Sequence, residues 1–131
     1  MNWTYQDDEV QDIPAGFIGF IYCITYEDGK QYIGKKLAKT NKKLRPLKGM
    51  RKNAVRREEK NTNWKSYTGS SKIFNPSPIV KKEILMWCKN KTELSYWEAH
   101  NLFLCGALFS DDFLNQNILG KFYAKDLINE I

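Results

Sequence analysis

The chain has 131 residues, a net charge of +6 and 42% hydrophobic residues, which is enough for one domain with its own core and excludes a chain disordered throughout. No repeat or low-complexity tract is visible, no apolar run approaches the ~20 residues that span a bilayer, and the opening residues, with Asp7, Asp8 and Glu9, lack the basic-then-apolar layout of a secretion signal. The expected location is the cytoplasm, a reducing compartment that suits three widely spaced cysteines, Cys23, Cys88 and Cys105, each inside an apolar run and read as a buried thiol.

Residues 1–15 mix acids with scattered aromatics and read as an arm that packs locally through Trp3 and Tyr5. The strongest signals lie between Gly19 and Gly34. Two β-rich runs, Phe20 to Tyr26 and Gln31 to Gly34, flank Glu27-Asp28-Gly29, and Asp-Gly between such runs is a strong hairpin signal. Turn length decides which side chains share a face, because one residue of slip reverses them all. A two-residue turn would pair Thr25 with Tyr32 and put Tyr22 and Tyr32 on opposite faces. A three-residue loop, with Gly29 left-handed as a bulge, pairs Ile24 with Tyr32 and Tyr22 with Gly34. That register gathers Tyr22, Ile24, Tyr32, Gly34 and Lys36 on one face, two phenols and an ammonium beside a residue without a side chain. Ile21, Cys23, Ile33 and Lys35 share the other face, which is mainly a core face.

Charge is polarised along the chain. From Lys30 to Lys60 thirteen basic residues stand against Glu58 and Glu59, a local balance of +11 that leaves −5 for the remainder. A block of like charge repels itself unless a polyanion neutralises it, so nucleic-acid contact is the expected use. Pro46 and Gly49 interrupt any helix early in this segment, and Asn53 to Lys60 reads as a short helix capped by Asn53 and carrying Arg56 and Arg57. The following stretch, Trp64 to Lys72, combines two aromatics, two lysines and four Ser/Thr hydroxyls in a Gly-containing loop. Its aromatics either stack on bases or lid the core, and its hydroxyls and lysines are groups that contact phosphates.

Asn75 to Pro78 is a turn. Ile79 to Cys88 reads as a third strand with Ile84, Met86 and Cys88 on one face, and the apolar Leu85 and Trp87 place it in a well-covered position. Thr92 is the expected cap of a helix from Glu93 to about Leu108, apolar almost all round and so largely buried. Glu98 interrupts that coat, and a carboxylate on a buried helix is costly unless paired, protonated or bound to a metal. Ser110-Asp111-Asp112 turns into Phe113 to Ile118, Gly120 breaks the chain, and Phe122 to Ile131 reads as a short final helix.

Gly19-Phe20-Ile21-Tyr22, followed ten residues after its tyrosine by Tyr32-Ile33-Gly34, resembles the paired signature of the GIY-YIG nuclease superfamily. The resemblance covers roughly Phe17 to Ile118, and Trp64 to Ser71 is similar to the Trp-x-x-Tyr-x-Gly-Ser pattern of small phage-type members. It implies an α+β fold, a small antiparallel three-stranded sheet flanked by helices, with residues 1–15 as an arm and 16–131 as the nuclease-like domain, carrying a basic insertion over about 37–62. It implies a hydrolase, a metal-dependent DNA endonuclease using Mg2+ or Mn2+. Tyr22 would be the general base or base relay and Tyr32 would orient water or phosphate, with Lys36 lowering the Tyr22 pKa from their shared face. Glu98 would hold the metal, and Asn115, or its neighbour Asn117, would match the family's terminal asparagine.

The family arginine, about ten residues beyond the second tyrosine on a helix after the hairpin, is replaced by Lys42, which cannot grip two phosphate oxygens in a planar fork. Arg45, Arg51, Arg56 or Arg57 would then serve if a longer loop brings one back. Lys35, Lys42, Lys43, Arg51, Arg56, Arg57, Lys65, Ser70 and Lys72 are the expected DNA contacts. A host cytoplasm is implied if the source is a phage, and specificity from one small copy would be modest unless it forms a homodimer or is recruited. The alternative is a non-catalytic nucleic-acid-binding module on the same scaffold.

Overall fold

The computed structural model describes residues 1–52, 56–69 and 75–127, without the side chains of Lys42 and Lys43. In chain order it forms β1 (Thr4–Tyr5), β2 (Asp8–Glu9), β3 (Gly19–Tyr26), β4 (Gln31–Leu37), β5 (Lys39–Leu44), β6 (Arg56–Asn61) and β7 (Ile79–Cys88). There follow α1 (Lys91–Leu104), a 3-10 turn (Ala107–Phe109), β8 (Asn117–Ile118), β9 (Phe122–Tyr123) and α2 (Ala124–Leu127). The hairpin forms in the longer-loop register. Tyr22 pairs with Gly34 and Ile24 with Tyr32, the Tyr26 N–H bonds the Lys30 carbonyl at 2.9 Å, and Gly29 has φ +86°.

The sheet is five-stranded and mixed, in the order β2-β1-β7-β3-β4, rather than three-stranded and antiparallel. Its centre, β7-β3-β4, is the antiparallel set expected; the two additional strands come from the first residues, with β1 running parallel to β7. Trp3 drives that addition. It is 1% exposed, its Nε1 donates to the Trp64 carbonyl at 2.7 Å, and it packs edge-on against Phe20 and Tyr22. Burying an indole of this size outweighs the ordering of two short strands.

Both faces of the sheet are core. On one, Ile21, Cys23, Ile33 and Cys88 pack against Leu94, Ala99 and Leu102 of α1. On the other, Phe20, Tyr22, Ile24 and Ile84 pack against Trp3, Ile13 and Trp64, with no helix among them. The tyrosine face is therefore covered, and Trp64 is a core lid at 1% exposure. A register shift between Ile21 and Tyr22 makes a bulge in β7. It puts Ile84 on the tyrosine face and Met86 and Cys88 on the helix face, so these three do not share the side that simple alternation predicts.

Five local expectations differ from the structure. The helix starts earlier, because Asn90 is its cap and accepts from the Glu93 N–H at 2.8 Å. It is not buried all round: Tyr96, Phe103 and Leu104 are exposed, Leu104 by 74%. Cys105, at its end, is exposed as well, while Cys23 and Cys88 are buried thiols. Arg56 to Asn61 is strand rather than helix, pairing with β5 in a separate two-stranded ribbon, and the expected Asn53 cap lies outside the described residues. Near the end, where one helix is expected from Phe122 to Ile131, residues 122–127 are β9 followed by α2, and residues 128–131 lie outside the described residues.

Candidate active site

β4 is the outer strand of the sheet, so the backbone groups of Gln31, Ile33 and Lys35 point away from β3 and need partners. Two find bonded partners. Gln31 donates to the Asp112 carbonyl at 2.7 Å and accepts from the Leu114 N–H at 2.8 Å. Asn115, buried at 9% exposure, clamps Ile33: its Oδ1 accepts from the Ile33 N–H at 3.0 Å and its Nδ2 donates to the Ile33 carbonyl at 2.7 Å. At the third, the Glu98 carboxylate of α1 faces the edge, and Lys35 pulls its pKa down against burial. The helix glutamate and the late asparagine thus meet along one strand edge, although they are remote from the hairpin in sequence.

The tyrosines reach that edge through Gly34. Tyr22 stands on the inner strand β3 opposite Gly34, and its ring lies across the glycine; a Cβ there would sit 2.6 Å from Tyr22 Cζ and 3.1 Å from Cε2. Tyr32 is 6.1 Å from the Tyr22 ring, and Tyr67 meets Tyr22 edge-on at 5.8 Å. Lys36 Nζ lies 4.2 Å from the Tyr67 ring centre and donates to Asn63 Oδ1 at 2.9 Å, while Lys35 Nζ donates to Ser95 Oγ of α1 at 2.9 Å.

Burial dominates the electrostatics. The Tyr22 phenol is pushed far above its ordinary pKa by burial first, then by Tyr67, Tyr32 and Glu98. Tyr32 is pushed up to about 12 by burial and then Glu98. Burial also raises Glu98, against the opposing pull of Lys35, and lowers Lys36. The expectation that Lys36 acidifies Tyr22 is not met: its ammonium is engaged by Asn63 and the Tyr67 ring.

A family model described as "Putative endonuclease segE, GIY-YIG domain" matches residues 3–118. The chain belongs to the GIY-YIG nuclease family. Comparison with curated proteins and with solved structures gives no match. In this GIY-YIG domain both signature glycines are close-approach positions. A Cβ on Gly19 would stand 2.5 Å from the Lys36 carbonyl oxygen and 3.2 Å from Leu94 of α1, and Gly34 lets the inner tyrosine cross to the outer edge.

The remaining expected site residues divide by place. Lys42 and Lys43 lie in β5, a strand where the family pattern has a helix. Arg56 pairs with Leu44 at the ribbon end farthest from the Lys39–Asn61 pair, and Arg57 is next to it. Arg45 follows β5 beyond that end, and its carbonyl accepts from Arg56 Nη1 at 2.8 Å. Among the described residues that is the one hydrogen bond made by an arginine side chain, and none ties an arginine to the tyrosines. Arg51 and Lys65 are exposed, and Ser70 and Lys72 lie outside the described residues. Asn117 is exposed and turns the β8–β9 hairpin by accepting from the Gly120 N–H at 3.0 Å, which separates it from Asn115. Tyr67 and Asn63 were not singled out as site residues. The Trp-x-x-Tyr spacing held the signal for Tyr67, since it sets the phenol one turn beyond the buried Trp64.

Proposed function

We propose that this GIY-YIG domain hydrolyses DNA phosphodiester bonds with a divalent cation, Mg2+ or Mn2+, held by Glu98. The observation carrying the reading is that α1 docks on the outer edge of the hairpin, where Lys35 bonds Ser95 at 2.9 Å, one turn from Glu98, so that the Glu98 carboxylate faces the edge and its charge raises both signature phenols. The donor set fits a hard cation. Glu98 is half-buried and has no ion pair among the described residues, leaving carboxylate lone pairs for a metal that keeps most of its waters. Bound there, such a cation would neutralise charge on the phosphate and at the leaving 3′ oxygen.

The chain's own residues do the positioning. Tyr22 is a neutral phenol at physiological pH, so by itself it aligns the attacking water by hydrogen bonding rather than removing its proton; only added positive charge would bring its pKa down. Tyr67 packs edge-on against the Tyr22 ring and fixes it, and Lys36, across the Tyr67 ring, presents positive charge to phosphate oxygens. Tyr32 orients the phosphate. Asn115 positions this arrangement by fixing the β4 backbone between Tyr32 and Gly34. The ribbon formed by β5 and β6, with Arg56, Arg57 and the β5 lysines, supplies contacts to the DNA backbone.

The placement of Arg56 and Arg57 on the ribbon favours a second reading, in which the domain binds DNA without cutting it, because among the described residues no guanidinium meets the tyrosines to clamp the transition-state phosphate. Incubating supercoiled plasmid with the protein, with Mg2+ and with EDTA, separates the two. Metal-dependent nicking or linearisation, lost in Tyr22→Phe, supports the nuclease. Retardation of the plasmid without a strand break in Mg2+ or Mn2+ supports binding alone.

A further inference from the structure

Lys82 is the most deeply buried charged residue among those described, 3% exposed, and the site above does not use it. It stands in β7 beside Ile24 of β3, which pairs on its other side with Tyr32 of β4. Its ammonium lies 4.5 Å from the centre of the Trp3 ring, so it is on the tyrosine face. Lys82 and Tyr32 are therefore two strand spacings apart, about 10 Å.

An ammonium has three N–H donors. The Lys82 ammonium spends one on a long 3.4 Å bond to the Lys65 carbonyl, and no carboxylate among the described residues pairs with it, Glu83 being taken by Lys81. It opens on a cleft of about 470 Å³ lined by Lys65, Ser66, Thr68 and Ile79 as well as Lys82 itself, with no acid in the wall. Side chains alternate along this loop. Tyr67 turns to Tyr22, while Ser66 and Thr68 line the cleft with Lys82, the Ser66 hydroxyl donating to the Asn63 carbonyl at 3.2 Å. Two ammoniums and the Thr68 hydroxyl over an apolar floor are the donors that phosphate oxygens accept from, and a buried cation without a counter-charge gains most from an anionic guest. Burial holds the Lys82 pKa below its ordinary value.

We propose that the cleft between residues 64–69 and Lys82 binds a phosphate of the DNA backbone, with Lys82 as its buried anchor. The phosphate lies within about three nucleotides of the one at the tyrosines, since two strand spacings match about three steps of 3.4 Å along a duplex. This rests on the DNA-cleaving reading. The site holds the substrate strand beside the scissile bond, which a ribbon contacting the backbone from outside cannot do.

The test uses Lys82→Met, which keeps the length of the stem and removes the desolvated charge, so its thermal midpoint should equal or exceed that of the wild type. Binding of a fluorescein-labelled 20-bp duplex is followed by anisotropy in EDTA across a salt series. The expected result is at least ten-fold weaker binding at 0.1 M salt and a slope of log affinity against log salt smaller by about 0.9. A folded Lys82→Met with wild-type affinity and slope overturns the proposal. Should Lys82→Met fail to fold, Thr68→Glu sets a carboxylate against Lys82 from an exposed position and should weaken binding well beyond Thr68→Gln; equal binding by the two overturns it. In a parallel arm, inorganic phosphate should raise the thermal midpoint of the wild type and not of Lys82→Met. A wild type that fails to bind the duplex refutes the DNA reading itself; a phosphate response confined to the wild type would still support an anion site, and no phosphate response would remove that as well.

Discussion

Gly34→Ala isolates the contact on which the site depends. Gly34 has an ordinary strand φ, so alanine brings no backbone strain, and the perturbation is the new Cβ alone. That carbon would stand 2.6 Å from Tyr22 Cζ, whereas carbons in good contact are about 3.5–4.0 Å apart, so the ring must withdraw by about 1 Å. It has nowhere free to go, since Trp3, Phe20, Tyr32 and Tyr67 pack around it. Overpacking of this kind costs about 1–3 kcal/mol. At about 4 °C per kcal/mol for a chain of this length, the thermal midpoint should fall by about 4–12 °C. A 1 Å displacement of the phenol that aligns water should lower cleavage by about a hundred-fold. The assay is a double-mutant cycle with Tyr22→Leu, read by thermal or urea unfolding. In the Tyr22→Leu background the same glycine change should cost less than about 0.5 kcal/mol. An equal cost in both backgrounds would mean that the Cβ meets something other than the phenol, and the explanation of the signature glycine would fail.

Further outcomes follow from the same geometry. Asn115→Asp should destabilise increasingly above pH ~4, because a carboxylate accepts the Ile33 N–H but repels the Ile33 carbonyl; urea midpoints at pH 4 and pH 7 check this, and a pH-independent effect would contradict the clamp. Trp3→Ala should cost about 3–5 kcal/mol, measured by urea unfolding, since the first residues are part of the core. Replacing Arg51, Arg56 and Arg57 by glutamine should flatten the salt slope of DNA binding by up to about 2.7, and an unchanged slope would place the ribbon off the DNA. Glu98 has a raised folded pKa, so the penalty of its charge is absent below the unfolded glutamate value and grows as pH rises through the folded one. Glu98→Gln should therefore be more stable than wild type at pH 7 without metal, with the difference vanishing below pH ~4 in a thermal-melt series.

The hairpin and its register were legible because Asp28-Gly29 and the alternating apolar residues both act locally. The extent of β7 was legible too, but its bulge was not, since the choice of which residue slips is made by packing against β3. The ribbon of β5 and β6 carries no apolar period. Its pairing rests on backbone bonds and cross-strand contacts such as Lys39–Glu59 at 3.4 Å, so charge alone suggested a helix or loop. The joining of β1 to the sheet depends on Trp3 meeting Trp64 across 61 positions, which no local pattern announces. Tyr22, Tyr32 and Glu98 could be named from the signature and from an acid in an apolar helix. Their meeting at the free edge of β4, with Tyr67 and Asn63 beside them, needed the fold, as did the finding that burial rather than Lys36 sets the state of Tyr22.

The central claim, that Glu98 holds the cation for DNA cleavage, is tested most directly by Glu98→Gln, with two readouts on the same protein. In plasmid cleavage with Mg2+ the variant should lose all detectable activity. In thermal melts Mn2+ should raise the midpoint of the wild type and leave the variant unmoved, because a cation that binds only the folded state stabilises it by mass action. Duplex binding in EDTA should be kept or tightened as a negative charge leaves the site. A folded Glu98→Gln that cuts DNA near the wild-type rate, or keeps the Mn2+ shift, would contradict the claim.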